Sequence, residues 1–395
     1  MMRAVRCHRF AAFDKLQPAV LLPKPSPVRD VLHLDYIPQP NFIRHDSIED
    51  ADQVVIQTRY AGIQYPDFLQ ARGLYQIRPQ LPYIPGMDIA GIVIDKGRNV
   101  TDAQIKIGDR VYANTALCTN GNNGGLGGLS EYVRVTSNAV FPLPLQLHNK
   151  LSSVANIGRN YCAAYHSLKV IGNVSSSDLI LVTGASGGVG MATIELGKAM
   201  GCKVIAGVSS IDKAGGAPLS VGADIVLPYG HDEKSQTNFK ASVKAASATL
   251  GHPQGVSLIV DVVHGDLFTN ALVSCIKPLG KICLVGFAGG QRPIKPGLLL
   301  IKEAMVVGSL WGRWARENPI EFRTNMNEIL NYMADGSITA RVDNMFMLEE
   351  YAKAFELYEG NEGRGNTVIS ITAANVDEDD GSLPAATTYS HRSKL

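Results

Sequence analysis

Between residues 179 and 310 the apolar positions fall into six short runs: Leu179–Thr183, Lys203–Val208, Asp224–Leu227, Ser257–Val263, Lys281–Gly286 and Met305–Leu310. Several are apolar at consecutive positions rather than alternate ones, as in Leu-Ile-Leu-Val from Leu179 and Leu-Ile-Val from Leu258. Strands of that kind belong to parallel sheets covered on both faces. A helix-like stretch with Ala, Leu and Met on one side lies between the first two, from Val189 to Met200. Strands alternating with helical or loop spacers predict an α/β fold with a doubly wound parallel sheet of the Rossmann kind.

The first 150 or so residues have another texture. Short β-like runs (Gln53–Arg59, Ile89–Asp95, Arg110–Ala113, Glu131–Val135) stand among many Pro and Gly residues, without a long amphipathic helix. This predicts a small β-rich domain. After the nucleotide-type sheet comes a good helix, Ile320–Asp335, and a last strand, Asn366–Ile371. The expected division is therefore a first domain over residues 1–155, a doubly wound domain over 156–316, a return segment over 317–372 completing the first domain, and a flexible polar tail over 373–395.

Length and charge narrow the classes. A chain of 395 residues exceeds one core of ordinary size. The net charge of +1, from 37 basic and 36 acidic side chains, gives no long-range field for nucleic acid or anionic lipid. No stretch approaches the ~18–20 consecutive apolar residues of a membrane span. The expected partner is a small molecule, not nucleic acid or membrane. Six cysteines (Cys7, Cys118, Cys162, Cys202, Cys275, Cys283) contain no CxxC pair, so neither a zinc knot nor a disulfide framework is expected. Arg3, Arg6 and Arg9 precede any acid, as in a mitochondrial presequence. The Ala4–His8 segment nevertheless alternates like a strand and lacks serine, which favours the strand.

The most informative segment runs from Leu179 through Gly184-Ala185-Ser186-Gly187-Gly188-Val189-Gly190 into the helix. A buried strand, a glycine-rich turn and a helix start present unpaired amides and the positive end of a helix dipole, a site for pyrophosphate. Gly187 and Gly190 have the spacing for close backbone approach, with Ala185 in place of the first glycine. Two rivals remain. The same residues fit a GxSxG nucleophile elbow, with Asp261 and His264 downstream; those two stand three apart at one strand end, where separate loops are expected. The other rival is a glycine turn that binds nothing. An acid that holds the ribose of NAD belongs about 20 residues on. Here the chain reads Gly207-Val208-Ser209-Ser210-Ile211-Asp212-Lys213, with hydroxyls and a lysine suited to a 2′-phosphate. NADPH is the expected cofactor.

Several motifs, in order, resemble one family. Pro85-Gly86-Met87-Asp88-Ile89-Ala90-Gly91, Gly108-Asp109-Arg110-Val111, Gly127-Gly128-Leu129-Ser130-Glu131-Tyr132 and the glycine turn are similar to those of medium-chain dehydrogenases/reductases. Gly286-Phe287-Ala288-Gly289-Gly290 and Gly308-Ser309-Leu310-Trp311-Gly312 resemble its NADPH:quinone oxidoreductase branch. The resemblance, over roughly residues 1–372, implies a GroES-like catalytic domain beside the Rossmann domain and a homodimer. Zinc members carry a histidine–glutamate pair where this chain has Pro85–Asp88, and a four-cysteine lobe absent here, so no metal is expected. The resemblance implies that Gln64, Tyr65, Asp67 and Tyr75 face nicotinamide and acceptor. Gln64 and Leu69 replace a frequent asparagine and tyrosine. In related enoyl-thioester reductases the tyrosine matching Tyr75 donates a proton; a ring packed at a turn is the plain alternative. Tyr229, beside Lys213, is implied near the 2′-phosphate. Val263, His264, Phe287 and Ala288 are implied beside the nicotinamide, and His264 also reads as an ordinary loop histidine.

The chain ends Ser393-Lys394-Leu395, the tripeptide read by the peroxisomal import receptor, which sets a peroxisomal location against a cytoplasmic one. Three functions stay open: reduction of quinones or related electrophilic carbonyl compounds, reduction of 2-enoyl thioesters, and NADPH binding with little turnover.

Overall fold

A computed structural model describes residues 1–12, 26–40, 43, 47–118, 127–210, 212, 216–359 and 365–371. The first part of the chain supplies β1 (Met2–Cys7), β2 (Leu32–Ile37), β3 (Gln53–Ile63), helix α1 (Tyr65–Arg72), β4 (Asp88–Lys96), β5 (Arg110–Asn114), β6 (Tyr132–Thr136) and β7 (Val140–Pro142). Helix α2 (Ile157–Tyr165) leads into β8 (Leu179–Val182), α3 (Gly188–Ala199), β9 (Lys203–Val208), β10 (Ile225–Pro228), α4 (Glu233–Thr249), β11 (Val256–Asp261), β12 (Ile276–Leu284) and β13 (Met305–Gly308). Then come α5 (Trp311–Glu317), α6 (Pro319–Ala334), β14 (Asn344–Met347), α7 (Tyr351–Glu359) and β15 (Thr367–Ser370).

The six runs of the sequence form one parallel sheet in the order β10-β9-β8-β11-β12-β13. Its two faces are filled by alternate residues of the same strand. Leu179 and Leu181 pack with Phe239 and Val243 of α4, whereas Ile180 and Val182 pack with Ala192, Ile194 and Leu196 of α3. Burial on both faces explains why these strands read as continuous apolar runs. The order reverses between β8 and β11, the crevice where such sheets bind nucleotides. One boundary differs from the expected run. β12 begins at Ile276, not Lys281, because Lys277-Pro278-Leu279-Gly280 reads as a turn yet stays in the sheet through a kink, with Leu279 at φ +60°.

The second sheet is antiparallel over β3, β4, β5 and β7, with β6 also on β3, and β15 and β14 added at the other side of β3. β1 forms a strand, paired with β2. β4 is the centre of this sheet, and its first residue, Asp88, points to the start of α2. Glycines make that approach possible. A Cβ on Gly62 would lie 2.2 Å from the Ala155 carbonyl oxygen, and one on Gly158 only 1.7 Å from Asp88 Oδ1. No helix among the described residues is long and apolar enough to cross a membrane. The tail, with Ser393-Lys394-Leu395, lies outside the described residues.

Candidate active site

The glycine turn leaves β8 at Thr183 and is shaped by its own backbone. Gly184 takes φ +62°, its carbonyl accepts from the Gly187 amide at 3.0 Å, and Ala185 N–H donates to the Gly207 carbonyl. Gly190 has no room for a side chain, since a Cβ there would lie 2.4 Å from the Gly184 oxygen and 2.6 Å from Ala185 Cα. A Cβ on Gly187 would meet one atom, the Gly184 oxygen, at 3.4 Å. Ser186, Gly187, Gly188 and Val189 are half-buried at the start of α3. A tight turn with amides gathered at a helix start fits a pyrophosphate.

At the next strand ends, Ser209 and Ser210 are half-buried after β9, and Tyr229 N–H donates to the Val208 carbonyl at 2.8 Å. The Tyr229 ring is packed edge-on against Phe239, 5.8 Å away, and burial pushes its hydroxyl up to about 12. Serines and tyrosine thus meet at one corner of the sheet. Lys213 lies outside the described residues, and Asp212 is exposed.

The other side of the crevice is made by two linked loops. Gly289 N–H donates to the Val263 carbonyl, Ala288 N–H to that of Val262, and Gly265 N–H to that of Gly290. Phe287 and Ala288 are exposed and Val263 half-buried, so these three present surface to the crevice. The His264 side chain turns inward. It is 2% exposed, stacks on Phe268 with centroids 4.4 Å apart, and its Nε2 donates to the Arg292 carbonyl at 3.0 Å. Its Nδ1 faces Asp261 Oδ2 at 3.5 Å. Asp261 Oδ1 accepts from Thr183 Oγ1 and from the Val263 and His264 amides, while burial raises this carboxyl above its ordinary range. With its ring buried, stacked on Phe268 and held through Nε2 by the Arg292 carbonyl, His264 is turned away from the glycine turn, which counts against its serving Ser186 as a base in a hydrolase. His264 lines the crevice through its backbone alone.

On the catalytic domain the candidate residues divide. Tyr65, 47% exposed, and Tyr75, half-buried, present rings to the surface. Asp67 does not face an acceptor. It is 1% exposed, with one oxygen on the Gln64 amide and the other on the Gly86 amide. It caps α1 and holds the Pro85–Asp88 loop, and burial raises its carboxyl. Gln64 is also buried, its Nε2 donating to Asp88 Oδ2 at 2.8 Å. Asp88 then accepts from Tyr112 Oη (2.7 Å), Asn114 Nδ2 (2.6 Å) and the Arg159 amide (3.1 Å). Burial pushes Asp88 up to about 6 against the pull of these donors. Sequence reasoning missed Asp88, Arg159 and Asn160. The signal for Asp88 was present, a carboxylate where zinc relatives have metal ligands, but its partners lie from 24 to 71 residues away along the chain.

Helix α2 connects the two halves. Gly158 rests on Asp88, Arg159 donates to it, and Asn160 reaches the glycine turn, so that a Cβ on Gly188 would lie 2.3 Å from Asn160 Nδ2. Asn160 Nδ2 also donates to Asn366 Oδ1 at 2.8 Å. Gly365, just before β15, donates its amide to the Ser186 carbonyl at 3.2 Å. Cofactor turn and acceptor-side loop are thereby held in one frame. Among the described residues no three His, Cys, Asp or Glu side chains are gathered to hold a metal.

Residues 50–145 match the alcohol dehydrogenase GroES-like domain, and residues 188–331 the family described as zinc-binding dehydrogenase. The quinone oxidoreductase-like protein 2 homolog of Nematostella vectensis is 32% identical over 80% of this chain and 81% of its own. The chain belongs to the quinone oxidoreductase family of medium-chain dehydrogenases/reductases. The quinone oxidoreductase-like protein 2 of Bos taurus is 30% identical, over 81% of this chain and 85% of its own. Among solved structures, the Escherichia coli quinone oxidoreductase complexed with NADPH superposes with a TM-score of 0.73 at 21% identity, covering 93% of this chain and 100% of its own. In this family member the turn at Gly184–Gly190 and the crevice between the two sheets are therefore the site to consider.

Proposed function

We propose that this chain is an NADPH-dependent oxidoreductase that reduces quinones or related electrophilic carbonyl compounds without a metal ion. The observation that carries the reading is the frame of α2, which fixes the glycine turn at Gly188 and the acceptor-side loop at Asp88 through consecutive residues. Bound NADPH supplies a hydride from its nicotinamide. Ala185–Gly190 would hold its pyrophosphate, Ser209, Ser210 and Tyr229, with Lys213 by its place in the sequence, its 2′-phosphate corner, and Val263, Phe287 and Ala288 the nicotinamide side. With no acid on the described end of β9 before Asp212, the corner is suited to phosphate. Asp88 in this chain is already engaged by four donors, which supports positioning and hydrogen bonding in place of Lewis-acid help. Exposed Tyr65, Leu74 and Ile77 on the catalytic domain and exposed Phe287 on the Rossmann side offer apolar surface suited to a planar acceptor.

The test follows NADPH absorbance with 1,4-benzoquinone, 9,10-phenanthrenequinone and crotonyl-CoA, each repeated with NADH and with Tyr75→Phe. Quinone-dependent oxidation of NADPH, with NADH poor, is expected. Oxidation only with the thioester, lost in Tyr75→Phe, moves the function to enoyl reduction; binding without turnover moves it to a low-turnover NADPH-binding protein.

The proposal extends to assembly and address. β13 is one of the two edge strands of the Rossmann sheet among the described residues, and Leu300, Ile301, Met305 and Leu310 around it are exposed, which supports a homodimer formed there. Ser393-Lys394-Leu395 supports delivery by the peroxisomal import receptor.

A further inference from the structure

Some arginines of this fold spend their donors on oxygen, whereas Arg59, Arg72 and Arg159 each leave a buried donor without a hydrogen-bond partner. Arg323 reaches the carbonyls of Ser137, Asn138 and Val140, and Arg3 reaches Glu131, Glu349 and the Ile371 carbonyl. Arg159 does not. Its guanidinium lies 5.4 Å from the centroid of the Tyr75 ring, its Nη2 contacts the Met87 sulfur, and its Nη1 is buried with no hydrogen-bond partner. The residue is only 8% exposed. A guanidinium carries five donors in a planar fork and keeps its proton, so an unpaired buried donor on it is costly. The nearby acids do not relieve it. Asp67 and Asp88 balance the charge at a distance, but their oxygens are held by Gln64, Gly86, Tyr112, Asn114 and the Arg159 main chain.

The position of this cation gives it a use. It stands on α2 between Gly158, seated on Asp88, and Asn160, seated on the glycine turn, and it underlies Tyr75 with its exposed neighbours Leu74 and Ile77. We propose that Arg159 binds an oxygen of the acceptor, and so selects planar conjugated acceptors that carry a carbonyl or carboxylate oxygen. This rests on the reductase reading above and adds the acceptor chemistry and the residue that reads it. A guanidinium fork suits such oxygens, and a planar ring can stack where Tyr75 now covers the cation.

The experiment compares wild type, Arg159→Met and Arg159→Lys in three measurements. These are NADPH affinity by fluorescence, binding of 2-naphthoate to the NADP⁺ complex by calorimetry, and kcat/KM for 1,4-naphthoquinone. In Arg159→Met, NADPH affinity stays at the wild-type level while naphthoate binding and kcat/KM fall by about 10- to 100-fold, the value of a hydrogen bond to a charged group. Arg159→Lys keeps the charge but not the fork and recovers part of both. Failure of wild type to bind naphthoate overturns the inference. So does unchanged naphthoate binding in Arg159→Met, or a loss confined to NADPH. Should Arg159→Met not fold, the Lys variant carries the same comparison. Absence of quinone turnover in wild type, with naphthoate binding that still depends on Arg159, sinks the reductase reading and leaves the arginine inference standing.

Discussion

Replacing Gly158 with alanine tests the frame that joins the two halves of the site. The added Cβ would lie 1.7 Å from Asp88 Oδ1 and 2.1 Å from Tyr112 Oη, where real Cβ atoms essentially never come within 3.0 Å. Neither neighbour has space to retreat, since Asp88 is 1% exposed and Tyr112 fully buried. The start of α2 must then back away by about 1.3 Å. That breaks the bond from the Arg159 amide to Asp88, now 3.1 Å long, and leaves a buried carboxylate short of one of its four donors. Loss of a hydrogen bond to a charged group together with strain in a packed core, less the gain of about 1 kcal/mol from alanine in a helix, gives a net destabilisation of about 2–4 kcal/mol. A displacement of about 1 Å at a positioned site also costs up to ~100-fold in turnover. Urea unfolding and NADPH-dependent quinone reduction read the two effects. Gly312→Ala is the control, because Gly312 sits in α5 with nothing within 4 Å of an added Cβ; it should be neutral or slightly stabilising. A Gly158→Ala protein as stable and active as the control refutes the reasoning.

Two further outcomes are expected. In Gly190→Ala the new Cβ, 2.4 Å from the Gly184 oxygen, opens the turn, and NADPH affinity measured by fluorescence should weaken by about 10-fold or more, at ~1.4 kcal/mol per factor of ten. For Asp88, burial lifts the folded carboxyl from 3.8 to about 6, so the folded protein binds the extra proton between those values. Its contribution is present at low pH and is lost as pH rises through about 6. Unfolding free energies of wild type relative to Asp88→Asn should therefore fall by up to about 3 kcal/mol between pH 4 and 7, and a flat difference would contradict this account.

How much could be read from the sequence depends on where each residue's partners lie. The six parallel strands were legible because burial on both faces writes itself into consecutive apolar residues, and the turn at Gly184–Gly190 because its glycines, strand and helix are adjacent in the chain. Ser209 and Ser210 were read by counting along the chain from that turn, whereas Tyr229 was named by the family resemblance; the structure sets all three at neighbouring strand ends. Asp67 and His264 were read by position in a motif, which does not tell a side chain facing the crevice from one turned into the protein; their hydrogen bonds to Gly86 and Arg292 decide that. Arg159 and Asn160 left no local signal. Their meaning comes from Met87, Tyr75, Gly188 and Asn366, brought to α2 from four other segments.

The pairing of β15 with β3 sets Thr367 against Ile63 and Ser370 against Tyr60, so the antiparallel sheet is finished by the last strand among the described residues. During synthesis that side of β3 must wait for its neighbour while the whole Rossmann unit is being made. The Rossmann strands, in contrast, are contiguous from β8 to β13 and can assemble as soon as they emerge. An open strand edge is the place where nascent chains join one another. The order of translation thus makes the N-terminal half the vulnerable partner. Truncations upstream of β15 should yield aggregated chains even when every residue of the Rossmann unit is present.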